Sequence, residues 1–286
     1  MLMASVPDTL PHSAQSQTHG QTHGQTQAKA AAEQNRRKQI SDRVMKAALP
    51  LGTAFAMLAL WEAGVRLFGV PSYIAPAPSD VARVYIDQMP LLMRNFWPTF
   101  YESVLGFIAG NMAAILLAVA FVHSRTTERA FFPIAVFINT IPVLAMAPIL
   151  VLIFGAGLTA KVVIAALICF FPTLVNMVRG LQSVSPQALE LARILSASKS
   201  EVFWKIRLPS SLPFLFSALK IAATTCVIGA IVGEWVGADK GLGALILDST
   251  FNFRSAVLYA TVFLSSGLSV LMFALVSLAE RWIVRW

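Results

Sequence analysis

Charge is what this chain has least of. Only 13% of its 286 residues are Asp, Glu, Lys or Arg, and 57% are hydrophobic. A soluble domain carries roughly 25% charged residues, so an ordinary water-exposed globule is excluded and a membrane protein is expected. Histidine is nearly as scarce. Only His123 lies beyond the N-terminal tract, which removes most histidine-based catalysis and histidine metal sites. The two cysteines, Cys169 and Cys226, both sit in apolar segments and read as small buried hydrophobes, not a disulfide or metal site. No G-x-x-x-x-G-K-[ST] occurs: the nearest stretch, Gly155 to Lys161, has Ala160 where the second glycine is needed. A phosphate cradle of that type is therefore absent, and any ATP must be bound by another protein. No cofactor and no metal are expected.

What the chain has is long apolar runs. A membrane crossing needs about 20 predominantly apolar residues. Six spans are predicted in an all-α membrane protein, near 47–69, 97–122, 130–155, 161–181, 212–237 and 256–280, within a permease domain covering 45–286. Residues 1–44 are polar and contain Q-T-H-G-Q-T-H-G-Q-T-Q, a tract too poor in apolar surface to offset its chain entropy. It reads as a disordered, solvated tail, and its His19 and His23 as part of that tail and not a metal site. The first apolar run begins near Ala47, too late for a cleavable signal peptide.

The net charge of +8 does not point to nucleic acid, because the basic residues lie in loops between apolar spans. They concentrate in the N-terminal segment (Arg36, Arg37, Lys38, Arg43, Lys46) and in the connection 182–211 (Arg193, Lys199, Lys205, Arg207). That bias puts both termini and this connection in the cytoplasm. The long connections 70–95 and 238–255 then face outward. The first contains P-S-Y-I-A-P-A-P-S-D, in which Ser79 or Asp80 is expected to cap a short amphipathic helix. Charges inside spans are costly and need a reason. Lys220, near the cytoplasmic end, is expected to snorkel to the interface.

The cytoplasmic connection encodes helix, turn, helix, stop. Ser185-Pro186 supplies a cap and a proline for the first helical position. Ser198-Lys199-Ser200-Glu201 fits a capping box for a second short helix, predicted to end before Pro209.

This stretch resembles the EAA loop of inner-membrane permeases of binding-protein-dependent ABC importers: E-A-A, three residues, G, nine residues, I, one residue, L-P. Glu190, Ala192, Ile206, Leu208 and Pro209 stand at the matching positions, while Leu191 and Ser196 replace Ala and Gly. The stretches P-V-L-A-M-A-P-I-L-V-L-I-F-G (142–155) and G-E-W-V-G-A-D-K-G-L-G (233–243) are similar to the nitrate, sulfonate and taurine branch, whose relatives also serve pyrimidine thiamine precursors and riboflavin. The resemblance implies a six-span fold of the methionine and molybdate permease type. It further implies a homodimeric pore in a bacterial inner membrane, two separate ATPase subunits that bind ATP and Mg, and a periplasmic binding protein. It makes the helix around Glu190 a coupling helix. Leu191 and Leu195 would fill a groove on the ATPase, with Glu190 and Arg193 at its rim.

Gly229, Gly233 and Gly237 recur every four residues on one face of the fifth span. They read either as a moving contact on the solute pathway or as static packing. Glu234 borders them. It is a candidate pathway or gate residue, or a contact to the outward connection through Lys240 or Arg254. The other functional class is an ATP-independent secondary transporter or channel, for which inverted repeats or several paired buried charges would be expected. A membrane enzyme would need a cluster of convergent acids or histidines, which the scattered charges do not supply.

Overall fold

The computed structural model describes residues 49–284. The tail over 1–44 lies outside the described residues. The chain divides into two compact units, Met1–Gly64 and Val65–Trp286. Of the first, residues 49–64 are helical, with Leu51, Phe55 and Leu60 exposed; this helix, α1, continues to 67. The second unit contains α2 (Pro78–Asp87), α3 (Met89–His123), α4 (Arg125–Thr140), α5 (Val143–Phe154), α6 (Leu158–Gln182), α7 (Pro186–Ile194), α8 (Lys199–Val202), a π-helical turn (Phe203–Arg207), α9 (Leu208–Glu234), α10 (Leu242–Phe251) and α11 (Ser255–Ile283). No strand occurs among the described residues. Four helices are long and apolar enough to cross a membrane there, or five if α4 and α5 form one span.

The third predicted span is not a single rod. α4 and α5 meet at 103°. Pro142 has no N–H to continue the ladder and restricts the residue before it, so Ile141 turns extended (ψ 126°) and Pro142 caps a new helix. At about 1.5 Å per residue neither half alone spans a core about 30 Å thick. Pro148, by contrast, lies inside α5 without ending it. α2 also starts differently from expectation. Its N-cap is Ala77 with Pro78 in the first turn, and neither Ser79 nor Asp80 caps it. Ser79 instead accepts a hydrogen bond from Arg66 (2.9 Å).

α6 is the centre of the bundle, flanked by α3 and α9, and missing side chains set the spacing. A Cβ on Gly106 would collide with Ala165, and one on Gly110 with the Ala166 carbonyl. From α9, a Cβ on Gly229 would stand 2.7 Å from Ala165 Cα, and one on Gly233 would stand 3.1 Å from Lys161 Cα. Small residues thus bring α3 and α9 against one short stretch of α6 from two sides. Cys169 and Cys226 are free and fully buried beside this seam, packed with Ala222, Ala223 and Leu268. A second apolar cluster, with Phe121, Leu174, Met177 and Phe203, closes the end that carries α7 and α8.

Lys220 does not snorkel freely. Its Nζ lies 2.5 Å from Glu280 Oε2, tying α9 to α11. The pair satisfies two charges that are each costly in lipid alone.

Replacing Gly110 by Ala pushes a methyl group into α6 backbone. The expected loss is about 1–3 kcal/mol of stability, because the backbone cannot move aside as a side-chain end can. Thermal unfolding of the detergent-solubilised protein measures it, and Gly267→Ala, which meets nothing within 4 Å, serves as the neutral control.

Candidate functional site

At the end of the bundle that carries α7, the sequence forms an exposed helical loop by strictly local means. Ser185 Oγ accepts the Ala188 N–H (3.3 Å), with Pro186 in the first turn. α7 ends in a Schellman turn: Ala197 N–H bonds the Ala192 carbonyl and Ser196 N–H bonds the Arg193 carbonyl, both at 2.9 Å. Ser196 takes the left-handed conformation, φ 54°, at the place where the resembled pattern has glycine. The capping box of α8 is complete, with Ser198 and Glu201 bonded reciprocally.

The expected stop before Pro209 is absent. α8 runs through the π turn into α9, giving one helix from Lys199 to Glu234. Leu208 N–H reaches back to the Phe203 carbonyl, five residues away. Pro209 falls in the first turn of α9 after that wider turn, where its missing N–H breaks no regular bond.

Burial divides the predicted loop residues. Leu191 and Leu195 are exposed (57% and 71%), and Ile194 is more so at 77%. Glu190, Arg193 and Ser196 are exposed as well, while Ala192 is buried. Ile206, Leu208 and Pro209 lie apart from α7, half-buried on the π turn and the start of α9. Ile194 escaped the sequence reading, although its spacing of three from Leu191 was available. Together the three aliphatics form an apolar ridge on a helix whose surroundings are polar.

The opposite end of the bundle is built on Glu234. This side chain is 1% exposed. Its Oε1 accepts from Thr99 Oγ1 (2.6 Å) and its Oε2 from Gly243 N–H (2.5 Å). Thr99 Oγ1 in turn accepts from Leu242 N–H (2.8 Å), and Asn95 Oδ1 from Gly241 N–H (3.0 Å). The three amides open α10, so Asn95, Thr99 and Glu234 together cap it. Gly241, φ 129°, has no room for a side chain because its Cβ would meet the Glu234 carboxylate. Next along α3, Glu102 Oε1 pairs with Lys161 Nζ at 2.9 Å, both side chains buried. Glu102 Oε2 has no donor among the described residues. Glu234 therefore does contact the connection 238–255, but through a backbone amide and not through Lys240 or Arg254. Arg254 pairs with Asp248. Gly229 and Gly233 face α6, and a Cβ on Gly237 (φ 77°) would lie 3.6 Å from Ala156.

Sequence reasoning missed Asn95, Thr99, Glu102 and Lys161. The available signal was the i, i+4, i+7 stripe of polar residues at the start of an apolar helix. Another cross-helix bond, Thr173 Oγ1 to Asn111 Oδ1 (2.5 Å), also escaped it. Asn176 donates to the Pro172 carbonyl of its own helix (2.7 Å). α2 is fastened to α11 through the Tyr85 phenol, which donates to the Ala260 carbonyl (2.7 Å) and whose pKa is raised by burial.

A bundle of helices long and apolar enough to cross a membrane, with a polar helical loop at one end and a buried polar cluster at the other, is a multi-pass membrane protein. The chain belongs to the binding-protein-dependent transport system inner membrane components, whose family model matches residues 110–285. It is 35% identical over 231 residues to the formylaminopyrimidine transport permease protein ThiX of Halalkalibacterium halodurans, covering 80% of this chain and 92% of that protein. It is 34% identical over 236 residues to the riboflavin transport system permease protein RibX of Chloroflexus aurantiacus, covering 82% and 88%. In fold it resembles a chain of the inward-facing MetNI methionine ABC transporter, with TM-score 0.60, 22% identity, and coverage of 68% of this chain and 97% of that one. The chain is accordingly a permease subunit of an ABC importer for a small solute.

Glu234→Gln leaves one oxygen to serve two donors, so Thr99 or Gly243 faces an amide NH₂. A loss of about 1–3 kcal/mol is expected, with faster hydrogen exchange at amides 241–243. Thr99→Ser keeps the hydroxyl and is expected to stay near wild type in the same assay. Ser196→Gly relieves the left-handed strain and is expected to stabilise α7 by roughly 1 kcal/mol, measured as slower exchange at the Ser196 and Ala197 amides.

Proposed function

We propose that this chain works as a homodimeric, six-span translocating subunit of a bacterial inner membrane. Its solute would be a nitrogen heterocycle of the formylaminopyrimidine or riboflavin type. The two relatives named for such solutes, at 35% and 34% identity, support this class. The aliphatic sulfonate permease protein of Bacillus subtilis stands at 25%. α1 serves as the first span and the bent α4–α5 pair as the third, with the tail and both termini cytoplasmic.

The observation that carries the coupling role is the exposed ridge Leu191, Ile194 and Leu195 on α7, flanked by Glu190 and Arg193. An ABC ATPase subunit receives this ridge in an apolar groove, and the two charges set its register. ATP and Mg stay in that partner, and the permease hydrolyses nothing. A loaded periplasmic binding protein docks on the outward connections 70–95 and 238–255. ATPase closure pushes α7, the π turn passes the push to α9, and the pore alternates its access. The clamp at Asn95, Thr99 and Glu234 makes α10 follow the outer end of α9.

Pull-down of tagged protein from solubilised native membranes, with mass spectrometry of its partners, tests the assignment. Recovery of an ATPase and a binding protein is expected. Reproducible recovery of the intact chain alone would favour an autonomous transporter or channel. Glu190→Lys, and more strongly Leu191→Asp, are expected to cut ATPase recovery and uptake by on the order of tenfold while the chain still inserts. Undiminished ATPase recovery and uptake in both variants would overturn the coupling role of α7.

A further inference from the structure

Two open cavities meet between the bundle and the loop carrying α7. The larger, about 740 Å³, lies at the junction of α3 and α4 and presents Arg125, Arg129 and Arg207. The smaller, about 450 Å³, runs on beneath α7 and adds Arg193 and Lys199. Val122, Arg125 and Arg207 are common to both walls.

Cations dominate this groove. Among the described residues the only acid in either wall is Glu128, which accepts a hydrogen bond from Gln182 (3.3 Å). Arg125, Arg129, Arg193 and Lys199 have no carboxylate within ion-pair distance among the described residues. Among the described residues Arg207 reaches only the Leu181 carbonyl, at 3.4 Å. Five cations in a shared concavity with so little counter-charge repel one another unless an anion is present.

The rest of the lining identifies the anion's carrier. Phe132 and Pro133 give the larger cavity an apolar wall on α4, backed by the buried Phe121 of α3. The apolar surface of α4 continues from there through exposed Phe131, Ile134 and Phe137. Cations at the rim of a helix junction, above an apolar face, suit a phosphate headgroup whose acyl chains lie along the helix. Basic pockets between membrane helices on the cytoplasmic side bind anionic headgroups for this reason.

We propose that the groove formed by Arg125, Arg129, Lys199 and Arg207 is a binding site for the phosphate headgroup of an anionic phospholipid of the inner leaflet. The proposal rests on the cytoplasmic orientation given above. A free polyphosphate shares the headgroup chemistry but has no use for the apolar wall. An acidic surface of the ATPase is the remaining competitor.

Native mass spectrometry of the delipidated full chain decides among them, with cardiolipin, phosphatidylcholine and inorganic pyrophosphate as separate probes. Cardiolipin adducts are expected to exceed phosphatidylcholine adducts by on the order of tenfold. Arg125→Gln/Arg129→Gln is expected to remove most of that preference, and so is Arg207→Gln alone, which guards against a folding defect in either variant. Thermal unfolding confirms that each is folded. Arg83→Gln/Arg94→Gln, at the other end of the bundle, should keep the preference. Equal adducts with both lipids, or an unchanged preference in both groove variants, would overturn the site. Pyrophosphate binding as strong as cardiolipin binding would reassign it to a free anion. No lipid preference, with ATPase recovery lost in the Arg125/Arg129 variant, would hand the groove to the ATPase. Orientation is read separately by labelling Ser198→Cys from each side of the membrane. Labelling from outside would overturn the topology and leave the binding result standing.

Discussion

The close approach of α3 and α9 to α6 is the constraint on which the rest depends. Gly106 and Gly110 on one side, and Gly229 and Gly233 on the other, let backbones meet within a single helical turn or two of α6. That spacing lets Lys161 reach Glu102 across the seam at 2.9 Å. It also brings the end of α9 beside α3, where Thr99 reaches Glu234. Larger residues would part the helices and leave a charged pair and a carboxylate buried without partners, which lipid does not tolerate. Packing and polar satisfaction at this end of the bundle are therefore one condition.

Much of the architecture was legible because its causes are local. Caps at Ser185 and Ser198 need only the residues that follow them, and both formed as the spacing implied. The apolar runs at 161–181 and 256–280 emerged as α6 and α11 with small changes at their ends. What was hidden depends on geometry between segments. The run 130–155 read as one span, but the 103° bend at Pro142 depends on what the two halves pack against. α10 has the apolar content of a helix, yet its start is fixed by side chains about 140 residues earlier in α3, which no window along the sequence can show.

The same distinction separates the two halves of the site. The ridge on α7 follows from helix period alone, and Ile194 belonged to it by the rule that selected Leu191 and Leu195. The cluster around Glu234 does not. Lys161 stands at the very start of an apolar run, and its burial depends on where Glu102 lies. Glu234 drew attention as a charge in an apolar span, but its partners are main-chain amides, which a list of side chains does not contain. Family membership adds the permease role and no detail of these contacts.

The absence of a break at Pro209 has a mechanical meaning. From Lys199 to Glu234 the chain is one helix of 36 residues, about 54 Å long at 1.5 Å per residue. A rod of that length turns a small rotation into travel: a tilt of roughly 5° about one end moves the other by about 5 Å, close to one helical pitch. Its two ends are held by different means, a capped loop at Ser198 and a buried carboxylate at Glu234. The π turn between Phe203 and Arg207 loosens its ladder near the loop, and Pro213, which has no N–H to donate, interrupts it again shortly beyond. Stiffness on either side with a soft segment near the loop is the build of a lever with its pivot off-centre, so that a short stroke at one end becomes a long one at the other.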